Sequence, residues 1–137
     1  MSDTGERRNF YGRIRGKTLR ASQKDYLAED LGPLTLRGVT REENPTRAKL
    51  SLEFVKGPLW LEVGFGGGEH LVHMAAANPQ VTIIGAEPFV NGIAMLLGKI
   101  RGAGVQNLWL HPGDVRDLFD VLPDACLTKV FLNYPDP

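Results

Sequence analysis

Several things are scarce in this sequence, and each scarcity excludes a class. There is one cysteine, Cys126, so no disulfide can close within the chain, and this usage fits a reducing compartment. No apolar run approaches the roughly 20 residues that a membrane helix requires. The opening "MSDTGERRNF" is polar and charged, unlike a secretory signal. No internal repeat or low-complexity tract interrupts the 137 residues, a length for one modest domain with its own core. A cytoplasmic protein with no membrane partner is expected. His70, His73 and His111 lack companions at metal-ligand spacing, so no metal is expected and they read as surface or packing residues. Cys126 has no adjacent charged or histidine residue and reads as structural.

Net charge is absent too, but its distribution is uneven. Residues 1–24 carry Arg7, Arg8, Arg13, Arg15, Lys17, Arg20 and Lys24 against Asp3 and Glu6, a local net of +5, which leaves −5 on the remainder. A basic arm on an acidic body suits a protein that touches nucleic acid; a solvated tail is the plainer alternative. In "RRNFYGRIRG", Phe10 and Tyr11 interleave with arginines, and such residues can stack on bases while the cations pair with phosphates.

Glycine, by contrast, is concentrated. "WLEVGFGGGEHL" sets Gly64, Gly66, Gly67 and Gly68 directly after a strand-like run, which costs backbone entropy and suggests close approach to the main chain. The flanking pattern is regular from residue 58 onward. "LWLEV", "VTIIGAE", "VQNLWL" and "LTKVFLNY" read as strands. "GEHLVHMAAANP", "PFVNGIAMLLGKIRGAG" and "DVRDLFDVL" read as helices, the first with Leu71, Met74 and Ala75 on one face and the second with Pro88 at its start. This alternation predicts right-handed βαβ units and a doubly wound, mostly parallel α/β sheet. Upstream, residues 1–24 read as an irregular arm and 25–57 as a mixed segment, with a short helix starting at Asn44-Pro45 and stopped by Gly57-Pro58.

Ligands of such sheets bind beyond the carboxyl ends of the strands, where the glycines stand. A dinucleotide fingerprint, G-x-G-x-x-G/A, is met by Gly64 and Gly66, but its third position is Glu69, whose charge opposes a pyrophosphate at the helix start. The alternative, "EVGFGGG", is an acidic-x-Gly-x-Gly-x-Gly loop resembling the first motif of S-adenosylmethionine-dependent methyltransferases. A cationic ligand would tolerate Glu62 and Glu69. A merely tight strand–helix turn is the bland reading. Glu87, ending the second strand, could accept two ribose hydroxyls or simply favour a helix start. Asp114, in "HPGD", could meet an adenine or cap "VRDLF", or both.

The chain closes on "LTKVFLNYPDP". Together with the basic arm, "LEVGFGGGEHL", "GAEPFVNG" and "NLWLHPGDVRDLF", this ending resembles the tRNA (guanine-N7-)-methyltransferase family. The resemblance implies a Rossmann-like class I methyltransferase fold, S-adenosylmethionine as cofactor, tRNA as partner, and methylation of N7 of a variable-loop guanine, conventionally position 46. It implies cofactor contacts at Glu62, Gly64, Gly66, Gly68, Glu87, Asp114 and Asp136, a catalytic part for Asp136, and RNA contacts at Arg7, Arg8, Arg13 and Arg15. A turn residue between prolines is the plainer role of Asp136. Family members commonly carry an aromatic where this chain has Asn133. They also continue past Pro-Asp-Pro into basic residues and further strands. The match is therefore with an N-terminal portion: residues 58–137 would be an incomplete cofactor domain, with the fourth strand an exposed apolar edge, poor cofactor binding and no turnover. A non-catalytic cofactor- or RNA-binding module and a nicotinamide dinucleotide domain are the rival functions.

Overall fold

The computed structural model describes residues 18–133. The sheet begins with β1 (Leu59–Val63) and continues with β2 (Thr82–Ala86), β3 (Leu108–His111) and β4 (Lys129–Leu132). All pairings are parallel, in the order β3-β2-β1-β4. The chain steps outward from β1 to β3 and then returns to the other side of β1, so strand order reverses between β1 and β4.

Two apolar layers cover the two faces, as a doubly wound sheet requires. The alternation within the strands decides which side chain enters which layer. Trp60, Ile83, Leu108 and Leu110 point to one side, where α3 (Glu69–Ala77) supplies Leu71, Met74 and Ala75 and α4 (Val90–Ala103) supplies Ile93, Leu96 and Leu97. Leu59, Leu61 and Ile84 point to the other, against Leu118 and Val121 of α5 (Val115–Val121) and Leu36 and Val39 of the upstream segment. Burying each of these leucines or isoleucines is worth about 1.5–3 kcal/mol. The α3 face named from the sequence is the buried one.

Several boundaries differ from expectation. Helix α1 (Ala21–Glu29), followed by the single turn α2 (Leu31–Leu34), begins inside the stretch expected to be an irregular arm. It docks on α4 through Tyr26 and Leu27 and through Arg101, whose guanidinium donates to Asp30 and Glu29 and lies 4.7 Å over the Tyr26 ring. Helix α4 starts at Val90 rather than Pro88, with Phe89 as its cap.

No helix forms at Asn44-Pro45. The Asn44 side chain instead donates to the carbonyls of Gly38 and Ala48 and accepts from the Ala48 amide. Arg47 takes a left-handed φ of 56°, and its guanidinium donates to the carbonyls of Val39 and Asp117. These bonds tie the segment down as an ordered loop, with Leu50, Leu52 and Phe54 packed on the second layer.

At the edges, β3 is partly covered by a bridge from Thr35 to Leu110. Among the described residues β4 pairs only with β1, and its Val130 and Leu132 are 47% and 54% exposed.

Candidate functional site

The carboxyl ends of β1, β2 and β3 bring Glu62, the glycine turn, Glu87 and Asp114 to one end of the sheet. Gly64, Gly66 and Gly68 all have positive φ, a conformation that admits glycine and few other residues. A Cβ at Gly66 would meet nothing within 4 Å, so the loop leaves open space above its backbone. Behind, the turn is held on α4: Lys99 Nζ donates to the Gly67 carbonyl at 2.9 Å. In front, it is held by Glu87. That carboxylate is buried, with Oε1 accepting from the Gly66 amide at 2.7 Å and Oε2 from the Phe89 amide at 3.0 Å. The acid ending β2 therefore grips the glycine loop and the approach to α4 together.

Glu62 is deeper still, at 0% exposure. Its Oε1 lies within hydrogen-bond distance of His70 Nδ1, at 3.0 Å, and its Oε2 accepts from Asn133 Nδ2 at 2.5 Å. Sequence reasoning pairs neither residue with Glu62. The signal lies in two spacings, eight residues across a strand–helix turn and the β1–β4 register, and the second exists only once the sheet is built.

Asp114 is the N-cap of α5, as its sequence context suggests: Oδ1 accepts from the Arg116 amide at 2.9 Å. Oδ2 accepts from the Arg116 side chain, and these guanidinium bonds hold the carboxyl below its usual range. Glu69 sits exposed in the first turn of α3, and Asp117 lies in the first turn of α5. Asp136 and the four arginines at 7, 8, 13 and 15 lie outside the described residues.

Of the histidines, His73 is exposed and His70 serves Glu62. His111, read as a surface or packing residue, is the last residue of β3 and is buried. Burial pushes its pKa down, opposed by Asp117 at 3.5 Å. The Cys126 thiol is half-buried and pushed up by desolvation. Among the described residues, no group of three or more His, Cys, Asp or Glu converges as a metal site, and no helix is long and apolar enough to cross a membrane.

A cavity of about 560 Å³ opens at the opposite end of the sheet, lined in part by Phe54, Thr82, Asn107 and Trp109. The side chains of Thr82 and Asn107 are spent on structure. Thr82 Oγ1 bonds the Lys56 amide and carbonyl, and Asn107 Nδ2 donates to the carbonyls of Ala75, Asn78 and Val81. The glycine loop and the acids Glu62, Glu87 and Asp114 are at the other end.

That end of the sheet lies within a recognisable family region. The family described as "Putative methyltransferase" matches residues 56–137. The chain belongs to this methyltransferase family. The chain is 70% identical over 132 residues to a tRNA (guanine-N(7)-)-methyltransferase of Cereibacter sphaeroides, covering 95% of this chain and 55% of that protein. It is 66% identical over 134 residues to the protein of the same name in Paracoccus denitrificans, covering 96% and 58%. For that of Ruegeria pomeroyi the figures are 62% over 133 residues, 96% and 56%. The chain thus spans somewhat more than half the length of these relatives.

Proposed function

We propose that the chain forms the cofactor-binding part of a cytoplasmic tRNA (guanine-N7-)-methyltransferase, with S-adenosylmethionine as methyl donor and a variable-loop guanine as acceptor. The observation that carries this is Glu87. A buried carboxylate at the end of β2, pinned beside an open glycine loop, is suited to a ribose diol and unsuited to a phosphate. The names of the relatives supply the substrate class.

The donor set fits this cofactor. Gly64, Gly66 and Gly68 would line its methionine and ribose parts, Glu87 would accept the ribose hydroxyls, and Asp114 would meet the adenine end. Glu62, beneath the loop, and Glu69 add negative potential that favours a cationic ligand. Bound there, the cofactor would supply an activated methyl group on a sulfonium. Guanine N7 has a lone pair and no proton, so the chain needs no general base. Its task is placement and a suitable field. Asp136 is proposed to accept hydrogen bonds from the guanine N1–H and amine and to favour the ring cation that develops. Arg7, Arg8, Arg13 and Arg15 are proposed to hold tRNA phosphates.

The test has two arms on the full-length protein. Calorimetry compares S-adenosylmethionine with NAD, and the former should bind more tightly. Labelled methyl transfer to unmodified tRNA should yield 7-methylguanosine. Tighter NAD binding overturns the cofactor assignment; tight cofactor binding without methylated tRNA leaves a binding module.

A further inference from the structure

We infer that Glu62, His70 and Asn133 form one polar tie across the point where strand order reverses, with His70 and Asn133 as positioning residues for Glu62 and the glycine loop. The inference rests on the methyl-transfer reading for its functional consequence, but not for the tie itself.

Glu62 lies wholly out of water, so each carboxylate oxygen needs a donor from the protein. The two donors come from separate elements: His70 from the first turn of α3, and Asn133 from the residue that follows β4. Asn133 Nδ2 also donates to the Gly64 carbonyl at 3.0 Å, and the Asn133 amide to the Val63 carbonyl at 3.2 Å. One side chain thus bonds the acid ending β1 and the first glycine of the loop. It stands three residues before Asp136.

The position within the fold gives the tie its use. β1 and β4 are parallel neighbours, with Val63 opposite Leu132, and the chain reverses its order of strands between them. In sheets of this kind the crevice at that reversal is where ligands sit. The glycine loop leaves on the β1 side, and Asn133 follows β4 on the other. The placement of the glycine loop against the end of β4 is therefore fixed by the Glu62–Asn133 bond and the two Asn133 bonds to β1 and its loop.

His70 orients the acid from behind. A carboxylate accepts only, so His70 Nδ1 must carry the proton that is shared. The Nδ1–H tautomer makes that bond and the Nε2–H tautomer cannot. The ring is further set by Phe131 of β4, edge to face at 5.6 Å between centroids. The same two elements, α3 and β4, are thus joined twice, once through Glu62 and once through this aromatic contact.

The test uses the full-length protein and its variants H70A, H70N, N133D and N133A. Asparagine can place its Nδ2 near the position of His70 Nδ1, so H70N keeps the donor that H70A removes. N133D keeps the shape but turns the donor into an acceptor facing two others. H70A, N133D and N133A should lower kcat for tRNA or raise the Kd for S-adenosylhomocysteine by roughly tenfold or more, while H70N stays close to the parent. Independently of any ligand, imidazole nitrogen spectra of the parent should show His70 as the Nδ1–H tautomer, with its signal displaced in N133D. A His70 Nε2–H tautomer, or folded H70A and N133D proteins with parental kinetics and affinity, or H70N as impaired as H70A, would overturn the tie. A parent with the expected tautomer but no methyl transfer would sink the proposed function and leave the tie standing.

Discussion

Gly92, in the first turn of α4, packs against the backbone of Gly66: a Cβ at residue 92 would lie 2.3 Å from the Gly66 carbonyl oxygen and 2.9 Å from its carbon. Nothing flexible stands there to give way. Gly92→Ala should therefore push the glycine loop off α4, costing about 1–3 kcal/mol of stability and weakening cofactor binding. Gly102→Ala, in the same helix with nothing within 4 Å, should instead stabilise by about 0.5–1 kcal/mol. Urea midpoints of both variants check this. Equal effects at the two positions would mean that the Gly92–Gly66 packing is not a constraint.

Glu87→Ala removes the acceptor of two backbone amides, those of Gly66 and Phe89. Binding of S-adenosylmethionine should weaken by about 1.5–3 kcal/mol, the usual worth of charge-assisted hydrogen bonds. Glu87→Gln, which keeps one acceptor oxygen, should lose less. Calorimetry on folded variants decides it; parental affinity in Glu87→Ala would restrict the residue to holding the loop.

His111 makes stability depend on pH. Burial lowers its pKa in the folded chain, while the unfolded chain takes up a proton near the ordinary value of 6.5. The unfolded state therefore binds more protons just below that pH. Stability should be full above about 6.5 and fall as the pH drops through it, by at most about 1.4 kcal/mol per pH unit from this group. His111→Leu should flatten that part of the profile. Urea midpoints taken from about pH 8 down to about pH 5 test the sign, and a parent whose stability rises on acidification over that range would contradict it.

Arg7, Arg8, Arg13 and Arg15 changed together to alanine should lower tRNA affinity. The log–log salt dependence should also flatten, by about 0.7–0.9 for each phosphate that the arm no longer neutralises. Filter binding over a salt series reads the slope directly. A slope matching the parent would make the arm a passive tail.

How much of this is legible in the sequence depends on the range of the interaction. The four strands and the helices α3, α4 and α5 are readable because periods of 2 and 3.6 are local properties, and Leu71, Met74 and Ala75 go inward as that period requires. Gly64, Gly66 and Gly68 can be placed in the loop because their backbone conformation is a property of single residues. The Asp114 cap needs only its own helix start. Asn44-Pro45, by contrast, has the local form of a helix start and becomes a loop. Part of what holds it there is Arg47 reaching the Asp117 carbonyl, 70 residues away in sequence.

Sequence by itself determined the class, the order of the strands and the end of the sheet where the glycine loop and the acids meet, since each follows from patterning within a few residues. Tertiary structure alone decided what the polar groups at that end do to one another. Glu62 is legible as an acid before glycines. That its oxygens are spent on His70 and Asn133 depends on β4 lying beside β1 in one register, which brings together residues 71 apart. Gly92 is locally just a glycine in a helix, and only the crossing of α4 over the glycine loop gives it a partner. The physical reason is common to these cases. A buried polar atom or a missing Cβ has meaning only against its neighbour, and the sheet chooses the neighbour.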